Sequence, residues 1–559
     1  MERIAFLSIS PERGRGVSWG LAPDIRPGAN DILNHEPLHE CGIAALYLLD
    51  KPIGKDVDLP GPAAGGNVAA LMPALLLDLQ NRGQLAAGMT SYNPQRPHLL
   101  MTFRDVGTVG EAFRMSHPGK HLSILSEYAG NAVIGHTRYA TCGADDIRHA
   151  QPFERYHGRL WKWFSFAFNG NLANYTELRD RMLRRRSYHF ALNTDTEIIL
   201  HALAYQLKGE RPTDLRKVMA SLGRNFDGAC NLVFLDAMGR MFVARDPLGF
   251  RPLSWAVQGR LFGAASESAA LSNLGFTDIR SLEPGGMVII EKGRLRTERF
   301  ARPRRPAHCF FEWIYFSNVA STIDGAGVYV VRSRSGRRLA DLEDQKMDDD
   351  CIVVPVPDTA KAAADAYAFR MGIPCVEGLI RNRYVGRTFI QPNTTRLASA
   401  RSKYTPLPAV LEGKRVFLVE DSIVRSITLA ALAGQILKRG KAREVHVRVA
   451  CPPIVAPCFY GIDMSTLGEL FAPRFVRKGY DGRPSPRELA KMARRLGLTS
   501  LRYLSVDDLP VCTGFDRRRL CTACVTGRYP TKWGNRLIQQ ARRARAKGQT
   551  GRTYEQSGS

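Results

Sequence analysis

The sequence predicts two parts of different fold class: an α+β, sheet-rich part, then an α/β part built on a parallel sheet. Two observations predict this. Up to about residue 300 short apolar strands predominate, several separated by tight turns. Beyond the basic, proline-containing linker Arg302-Pro-Arg-Arg-Pro306, strands and helices alternate. With 559 residues and 44% hydrophobic content, the chain is long enough to bury at least two cores.

Residues 1–40 are polar, rich in Gly and Pro, and lack sustained periodicity, so they read as a leader or propeptide. From Cys41 the pattern changes to strands: Gly42–Leu49, Ala132–Ile134, Cys230–Leu235, Met241–Ala244 and Met287–Ile290, with turns at Asp227-Gly228 and Pro284-Gly-Gly286. Thr196–Tyr205 reads as a helix between them. In the second part the expected order is strand Cys351–Pro355, a helix near Ala360–Phe369, strand Arg415–Val419, a helix near Leu429–Arg439, and strand Glu444–Ala450. Arg536–Ser559 is basic and then polar, a helix expected to fray. The expected organisation is a leader 1–40, a first domain 41–300, a second domain 301–510 and a C-terminal segment 511–559.

Composition narrows the function. No apolar run approaches the roughly 18 residues of a membrane span, and the N-terminus is too weakly hydrophobic for a signal-peptide core. A cytoplasmic protein without a membrane partner is expected. The net charge is +26, from 79 basic and 53 acidic side chains. It is scattered over short patches such as Arg184-Arg-Arg186, Arg337-Arg338 and Arg542-Arg543, with no recognisable nucleic-acid reader. Phosphorylated small molecules or plain solubility explain it as well as nucleic acid does. Eleven cysteines in such a chain point to catalysis, metal binding or burial, not to a disulfide framework.

One segment speaks for a phosphosugar. Val416-Phe-Leu-Val-Glu-Asp-Ser-Ile-Val-Arg-Ser-Ile-Thr428 runs from a buried strand through an acidic pair and small hydroxyl residues into a helix. At the carboxyl end of a sheet, such carboxylates take ribose hydroxyls and a metal ion. Loop N–H groups and the helix start take a phosphate. An ordinary αβ unit, with the acids merely capping a helix, has the same pattern.

Cys41 alone would read as a small buried hydrophobe. Four further segments follow it: Asn81-Arg-Gly-Gln-Leu-Ala-Ala-Gly88, Gly135-His-Thr-Arg-Tyr-Ala-Thr141, Phe168-Asn-Gly-Asn-Leu172 and Asn193-Thr-Asp-Thr-Glu197. In this order they resemble the glutaminase domain of class II amidotransferases, which are N-terminal-nucleophile hydrolases with stacked sheets between helix layers. The resemblance implies that the Cys41 thiolate attacks the glutamine amide, with its own α-amine as base. It implies an oxyanion hole of Asn169 and the Gly170 N–H, Arg138 on the glutamine α-carboxylate, Asp195 on its ammonium, and Arg82 and Thr141 in support. It also requires that residues 1–40 be removed, so that Cys41 becomes residue 1.

The resemblance extends through Arg245-Asp-Pro-Leu-Gly-Phe-Arg-Pro252, Ala265-Ser-Glu-Ser268, Ile323-Asp-Gly325, Val354-Pro-Val-Pro-Asp-Thr359, Glu377–Pro392 and Pro457-Cys-Phe-Tyr-Gly-Ile-Asp463. From about Cys41 to Tyr529 the chain is similar to the amidophosphoribosyltransferases, the glutamine-dependent family that opens purine synthesis. This implies a type I phosphoribosyltransferase domain, and the substrates glutamine and phosphoribosylpyrophosphate. Arg381, Arg383 and Arg387 would lie on a loop that closes over the pyrophosphate. Asp358, Glu420, Asp421, Ser422, Arg425, Ser426 and Thr428 would hold the sugar phosphate, and Thr359, Glu420 and Asp421 one Mg2+ per subunit. Cys309, Cys458, Cys521 and Cys524 stand where one branch of the family ligates a structural [4Fe–4S] cluster. Cys142, Cys230, Cys351, Cys375, Cys451 and Cys512 match no ligand position and read as packing residues. A homo-oligomer, dimer or tetramer, inhibited by purine nucleotides is also implied.

Three positions depart from the family pattern Asp-Asp-Ser-Ile-Val-Arg-Gly-Thr-Thr, of which Glu420, at the first acidic position, is tolerable because many other phosphoribosyltransferases carry Glu-Asp there. Ser426 replaces a glycine that permits unusual dihedrals. Ile427 replaces a threonine hydroxyl whose bond to phosphate is worth about 1.5–3 kcal/mol. These changes raise an alternative, a divergent paralogue that binds phosphoribosylpyrophosphate or nucleotide as a regulator, or that keeps glutaminase activity alone.

Overall fold

Along β1 (Gly42–Ile53), Ile43, Ala45, Tyr47 and Leu49 enter one apolar layer, while Ala44 and Leu46 enter another. This period of two buries both faces of the strand. The structure, a computed structural model, describes residues 41–54, 61, 65–139, 147–185, 188–382, 404–462, 464, 466–477 and 479–547. The expectations for the leader 1–40, for Thr141, Cys142, Arg383, Arg387 and the Ile427 side chain, and for the end of the chain beyond Lys547 lie outside them.

After β1 come β2 (Ala86–Tyr92), β3 (Leu100–Val106), β4 (Ala132–Arg138), β5 (Phe153–Arg155), β6 (Phe164–Leu172), β7 (Gly228–Asp236), β8 (Met241–Ala244), β9 (Ser254–Ala265), β10 (Arg280–Ser281), β11 (Gly286–Glu291) and β12 (Arg294–Arg299). They form two antiparallel six-stranded sheets, ordered β10-β9-β1-β4-β2-β3 and β12-β11-β8-β7-β6-β5. Ile43, Ile134 and Phe262 of the first sheet meet Ala167, Val233 and Val288 of the second in a shared layer. The outer face of the first sheet lies under Met72, Leu75 and Leu76 of the helix Met72–Leu77. That of the second packs Phe166, Phe234 and Phe242 under Ile198, Ile199 and Leu203 of the helix Asp195–Gln206. The result is the helix–sheet–sheet–helix stack that the resemblance implied.

The second part contains β13 (His308–Cys309), β14 (Thr322–Ile323), β15 (Ala326–Gly327), β16 (Cys351–Pro355), β17 (Leu379–Arg381), β18 (Tyr404–Pro406), β19 (Arg415–Glu420), β20 (Glu444–Val449), β21 (Ser500–Tyr503) and β22 (Leu520–Cys521). β16, β19, β20 and β21 make the expected parallel sheet, in that order. Their residues Ile352–Val354 and Val416–Val419 are buried and continuously apolar, as a sheet covered on both faces requires. The helices Lys361–Met371 and Ile427–Lys438 follow β16 and β19. The C-terminal helix starts earlier than expected, at Lys532, where Thr531 Oγ1 accepts from Gly534 N at 3.1 Å.

The two parts share packing. The core around the parallel sheet takes in Ala173, Ala229 and Phe250 from the first part. The described residues belong to one compact unit. β22 also returns from the C-terminal segment to pair in parallel with β13, with Cys309 opposite Cys521.

Candidate active sites

The first site gathers where β1, β4 and β6 meet. Cys41 directly precedes β1, and Gly42 pairs with Thr137 near the end of β4. Gly42 N donates to Thr137 Oγ1 at 3.2 Å, and Ile43 N donates to Ser266 Oγ at 3.0 Å. The same Ser266 oxygen accepts from Asn169 Nδ2 at 3.3 Å. One hydroxyl thus ties the strand of the expected nucleophile to the expected oxyanion side chain.

Gly170 follows Asn169 on β6 with φ +151°, and a Cβ there would lie 2.1 Å from the Ala229 carbonyl oxygen of β7. Only glycine lets the two strands approach this closely. Asp195 opens the helix Asp195–Gln206, which Thr194 caps, and accepts from Leu172 N at 3.4 Å. Burial pushes its carboxyl up to about 6. Burial also raises the Cys41 thiol; Arg138 pulls it back down and Asp195 adds to the rise. A thiol held in its protonated form needs a base beside it, which an α-amine at Cys41 would supply.

Arg82, expected in a supporting position, lies inside the protein. Its guanidinium is fully buried, with Nε on Glu267 Oε1 at 2.7 Å and an Nη on Glu312 Oε2 at 2.7 Å. Glu312 also faces Arg251 at 3.4 Å. Glu267 accepts further bonds from Asn81 Nδ2 at 2.7 Å and Asn318 N at 2.7 Å. Two buried carboxylates hold Arg82 inside the protein. Ser266, Glu267, Glu312 and Arg251 were missed as supports of this site. The first two and Arg251 lie in segments already singled out by their pattern, but their partners are remote in sequence.

The second site lies at the carboxyl edge of the parallel sheet. Pro355 and Val419 are register partners, so Asp358-Thr359 after β16 and Glu420-Asp421 at the end of β19 come together. Thr359 Oγ1 donates to Asp421 Oδ2, and Ser422 Oγ donates to Asp421 Oδ1 at 2.7 Å. Arg381 donates to Asp358 Oδ2 at 2.5 Å, and Tyr404 Oη donates to the Pro357 carbonyl at 3.1 Å. Arg381 and Tyr404 are themselves register partners in the β17–β18 ribbon, so both strands of the ribbon meet Pro357-Asp358. Arg425 faces Glu469 at 3.6 Å.

Ser426 stands before the helix Ile427–Lys438 with φ −88° and ψ −14°, a right-handed conformation open to any residue. The backbone therefore does not need the glycine of the family pattern, and that reason for doubting the site falls away.

Of the four expected cluster cysteines, Cys309, Cys458 and Cys521 lie near enough to Cys524 to oppose its ionisation. Cys309 pairs with Cys521, Cys458 Sγ accepts from Tyr460 N at 3.3 Å, and the Cys524 carbonyl accepts from Val455 N at 2.8 Å and Ala456 N at 3.0 Å. Burial pushes the Cys309 thiol up to about 11 and those of Cys521 and Cys524 well above 9.0; the facing Cys458 sulfur raises all three further. Among the described residues no group of three or more His, Cys, Asp or Glu is arranged to hold a metal ion. The donor chemistry still fits: the buried thiols of Cys309, Cys521 and Cys524, held protonated, suit with Cys458 a group that neutralises thiolates. Thr359, Glu420 and Asp421 supply hard oxygens, and Mg2+ binds through one or two carboxylates with substrate phosphate completing its shell.

The four-layer stack and the parallel sheet define a glutamine amidotransferase of the N-terminal-nucleophile class joined to a phosphoribosyltransferase. A glutamine amidotransferase domain model matches residues 113–280. The amidophosphoribosyltransferase of Methanothermobacter thermautotrophicus is 37% identical over 88% of this chain and 94% of its own. A chloroplastic amidophosphoribosyltransferase of Arabidopsis thaliana is 36% identical over 90% of this chain and 81% of its own. The solved glutamine phosphoribosylpyrophosphate amidotransferase from B. subtilis, complexed with ADP and GMP, superposes with a TM-score of 0.73 at 34% identity, over 88% of this chain and 98% of that one. The chain belongs to the amidophosphoribosyltransferase family, and its activity is that of an amidophosphoribosyltransferase.

Proposed function

We propose that the chain converts glutamine, phosphoribosylpyrophosphate and water to 5-phosphoribosylamine, glutamate and pyrophosphate, with the work divided as follows. Residues 1–40 are removed, and the α-amine of Cys41 takes the proton from its own thiol. The thiolate adds to the glutamine amide carbon, while Asn169 Nδ2 and the Gly170 N–H stabilise the oxyanion. The intermediate collapses to a thioester and expels ammonia, and water then releases glutamate. Arg138 holds the α-carboxylate and Asp195 the ammonium, with Thr141 in support.

Ammonia passes within the protein to the second site and displaces pyrophosphate from C1 of the ribose. Glu420 and Asp421 orient the ribose. Asp358, Ser422, Arg425, Ser426, Thr428 and the N-terminus of the helix Ile427–Lys438 hold the phosphate-bearing end. Arg381, Arg383 and Arg387 face the leaving group and exclude water. Thr359, Glu420 and Asp421 would hold Mg2+, which neutralises charge on the departing pyrophosphate. Cys309, Cys458, Cys521 and Cys524 would hold a [4Fe–4S] cluster that ties the segments together without taking part in the reaction.

The reading is supported above all by the shared Ser266 hydroxyl, which joins the Cys41 strand to Asn169, and by the Thr359–Asp421 bond across β16 and β19. Purine nucleotides are proposed as feedback inhibitors, because the B. subtilis relative is complexed with ADP and GMP. A homo-oligomer is proposed from family membership. A cytoplasmic setting is proposed because ten cysteines among the described residues are free. No described helix is long and apolar enough to cross a membrane.

The deciding assay is magnesium-dependent pyrophosphate release with glutamine or ammonia as donor. Cys41→Ala loses the glutamine reaction and keeps the ammonia reaction; loss of both, or of neither, overturns the division of labour. Intact mass of the active protein should start at Cys41. Anaerobically purified protein should be brown and contain iron; zinc or no metal would exclude the cluster.

A further inference from the structure

The loop Cys458–Gly461 belongs by sequence to the phosphoribosyl half, yet much of its bonding is to the glutaminase half. The Phe459 carbonyl accepts from Asn171 Nδ2 at 3.1 Å. The Tyr460 carbonyl accepts from Arg251 through Nη2 at 2.6 Å and Nε at 3.1 Å. The Tyr460 ring stacks on Phe250 with centroids 4.2 Å apart and planes 19° apart. Its hydroxyl shares a hydrogen bond with Thr531 Oγ1 at 2.9 Å. The loop is therefore held in one position from several sides.

Gly461 ends the loop with φ +103°, and a Cβ there would come within 3.0 Å of the Gly170 carbonyl carbon and 3.2 Å of the Gly170 oxygen. On the other side, a Cβ at Gly170 would strike the Ala229 oxygen at 2.1 Å. The Gly170 backbone is thus enclosed between β7 and a loop some 290 residues further along the chain. Asn171, the next residue of β6, adds a hydrogen bond to the same loop.

We infer that Asn171 and Gly461 are positioning residues for the glutaminase reaction. Together they clamp the carboxyl end of β6, so that Asn169 Nδ2 and the Gly170 N–H keep the separation an oxyanion requires. Neither needs to touch glutamine. The loop from the second half acts as the far wall of the first site, and a displacement of a fraction of an ångström there would misplace a donor. The inference rests on Asn169 and Gly170 being the oxyanion donors.

The test measures Gly461→Ala, Asn171→Leu and Asn169→Ala for glutamate release from glutamine and for pyrophosphate release with ammonia. Gly461→Ala and Asn171→Leu should lower kcat for glutamine by about tenfold or more, with KM for glutamine and the ammonia reaction within about twofold of the parent. A parallel fall of both reactions would reduce the clamp to general structural support, and an unchanged kcat for glutamine would remove it. If Gly461→Ala fails to fold, Asn171→Leu decides by the same readouts. Full glutaminase activity in Asn169→Ala would instead overturn the oxyanion assignment itself.

Discussion

The glutaminase site stands on strands, whereas the phosphoribosyl site stands on the turns that leave them. Cys41, Arg138, Asn169 and Gly170 lie on or beside β1, β4 and β6, where neighbouring strands fix each backbone. Asp358, Thr359 and Asp421 lie just past β16 and β19, and Arg381 heads a long segment bounded by β17 and β18. In the proposed roles, the first arrangement is preorganised by its strands before substrate arrives. In the second, the polar groups bond one another: Arg381 holds Asp358, Thr359 holds Asp421, and Arg425 faces Glu469. If these residues take substrate phosphate and metal as proposed, those ligands replace the internal partners, and binding and ordering are coupled there.

This contrast can be broken most sharply at Asn169. Asn169→Ala should cost about 10²–10³-fold in kcat for glutamine and leave ammonia-dependent turnover near the parent, measured by glutamate and pyrophosphate release. Asp421→Asn should do the reverse: a fall of roughly 10- to 100-fold in pyrophosphate release with either donor, while glutamate release without phosphoribosylpyrophosphate changes little. A variant that depressed both activities equally would mean the two sites are not separately built.

The pH dependence should also divide. In its proposed role Asp195 must be ionised to pair with the glutamine ammonium, and burial lifts its carboxyl from 3.8 to about 6. Protonation therefore begins as pH falls through about 6, and kcat/KM for glutamine should then decline by about tenfold per unit. Asp195→Asn should give a low profile without that limb; a break near pH 4 would mean the site is wetter than the structure has it. The smallest effect belongs to Ser426→Gly, which should shift KM for phosphoribosylpyrophosphate by less than about threefold, because the backbone there is already right-handed. A tenfold gain would show that the serine side chain obstructs the phosphate.

Much of this frame was legible locally. Met241–Ala244 and Cys351–Pro355 are strands with the bounds expected, because a short apolar run set off by turn signals has few other homes. The helix expected at Leu429 begins at Ile427, within the scatter of any helix end. The acidic pair at Glu420-Asp421 emerged at the sheet edge because a strand followed directly by polar residues and a helix must place them there. Arg82 was not legible: the same motif fits a surface cation or a buried one, and its partner Glu312 is 230 residues away. The Ser266 tie was hidden likewise, since β1 and Asn169 approach it from 223 and 97 residues distant.

By itself the sequence determined the chemical types and their local settings: a thiol heading a strand, an Asn-Gly pair, a carboxylate pair before a helix, and four cysteines in three places. These follow from side-chain chemistry and backbone periodicity, which act over a few residues. Tertiary structure alone decided that Arg82 is buried between Glu267 and Glu312, and that a loop from the second half walls the Gly170 backbone. A guanidinium has the same charge everywhere; its role is set by the carboxylate or carbonyl that burial brings to it, and folding, not sequence proximity, chooses that partner.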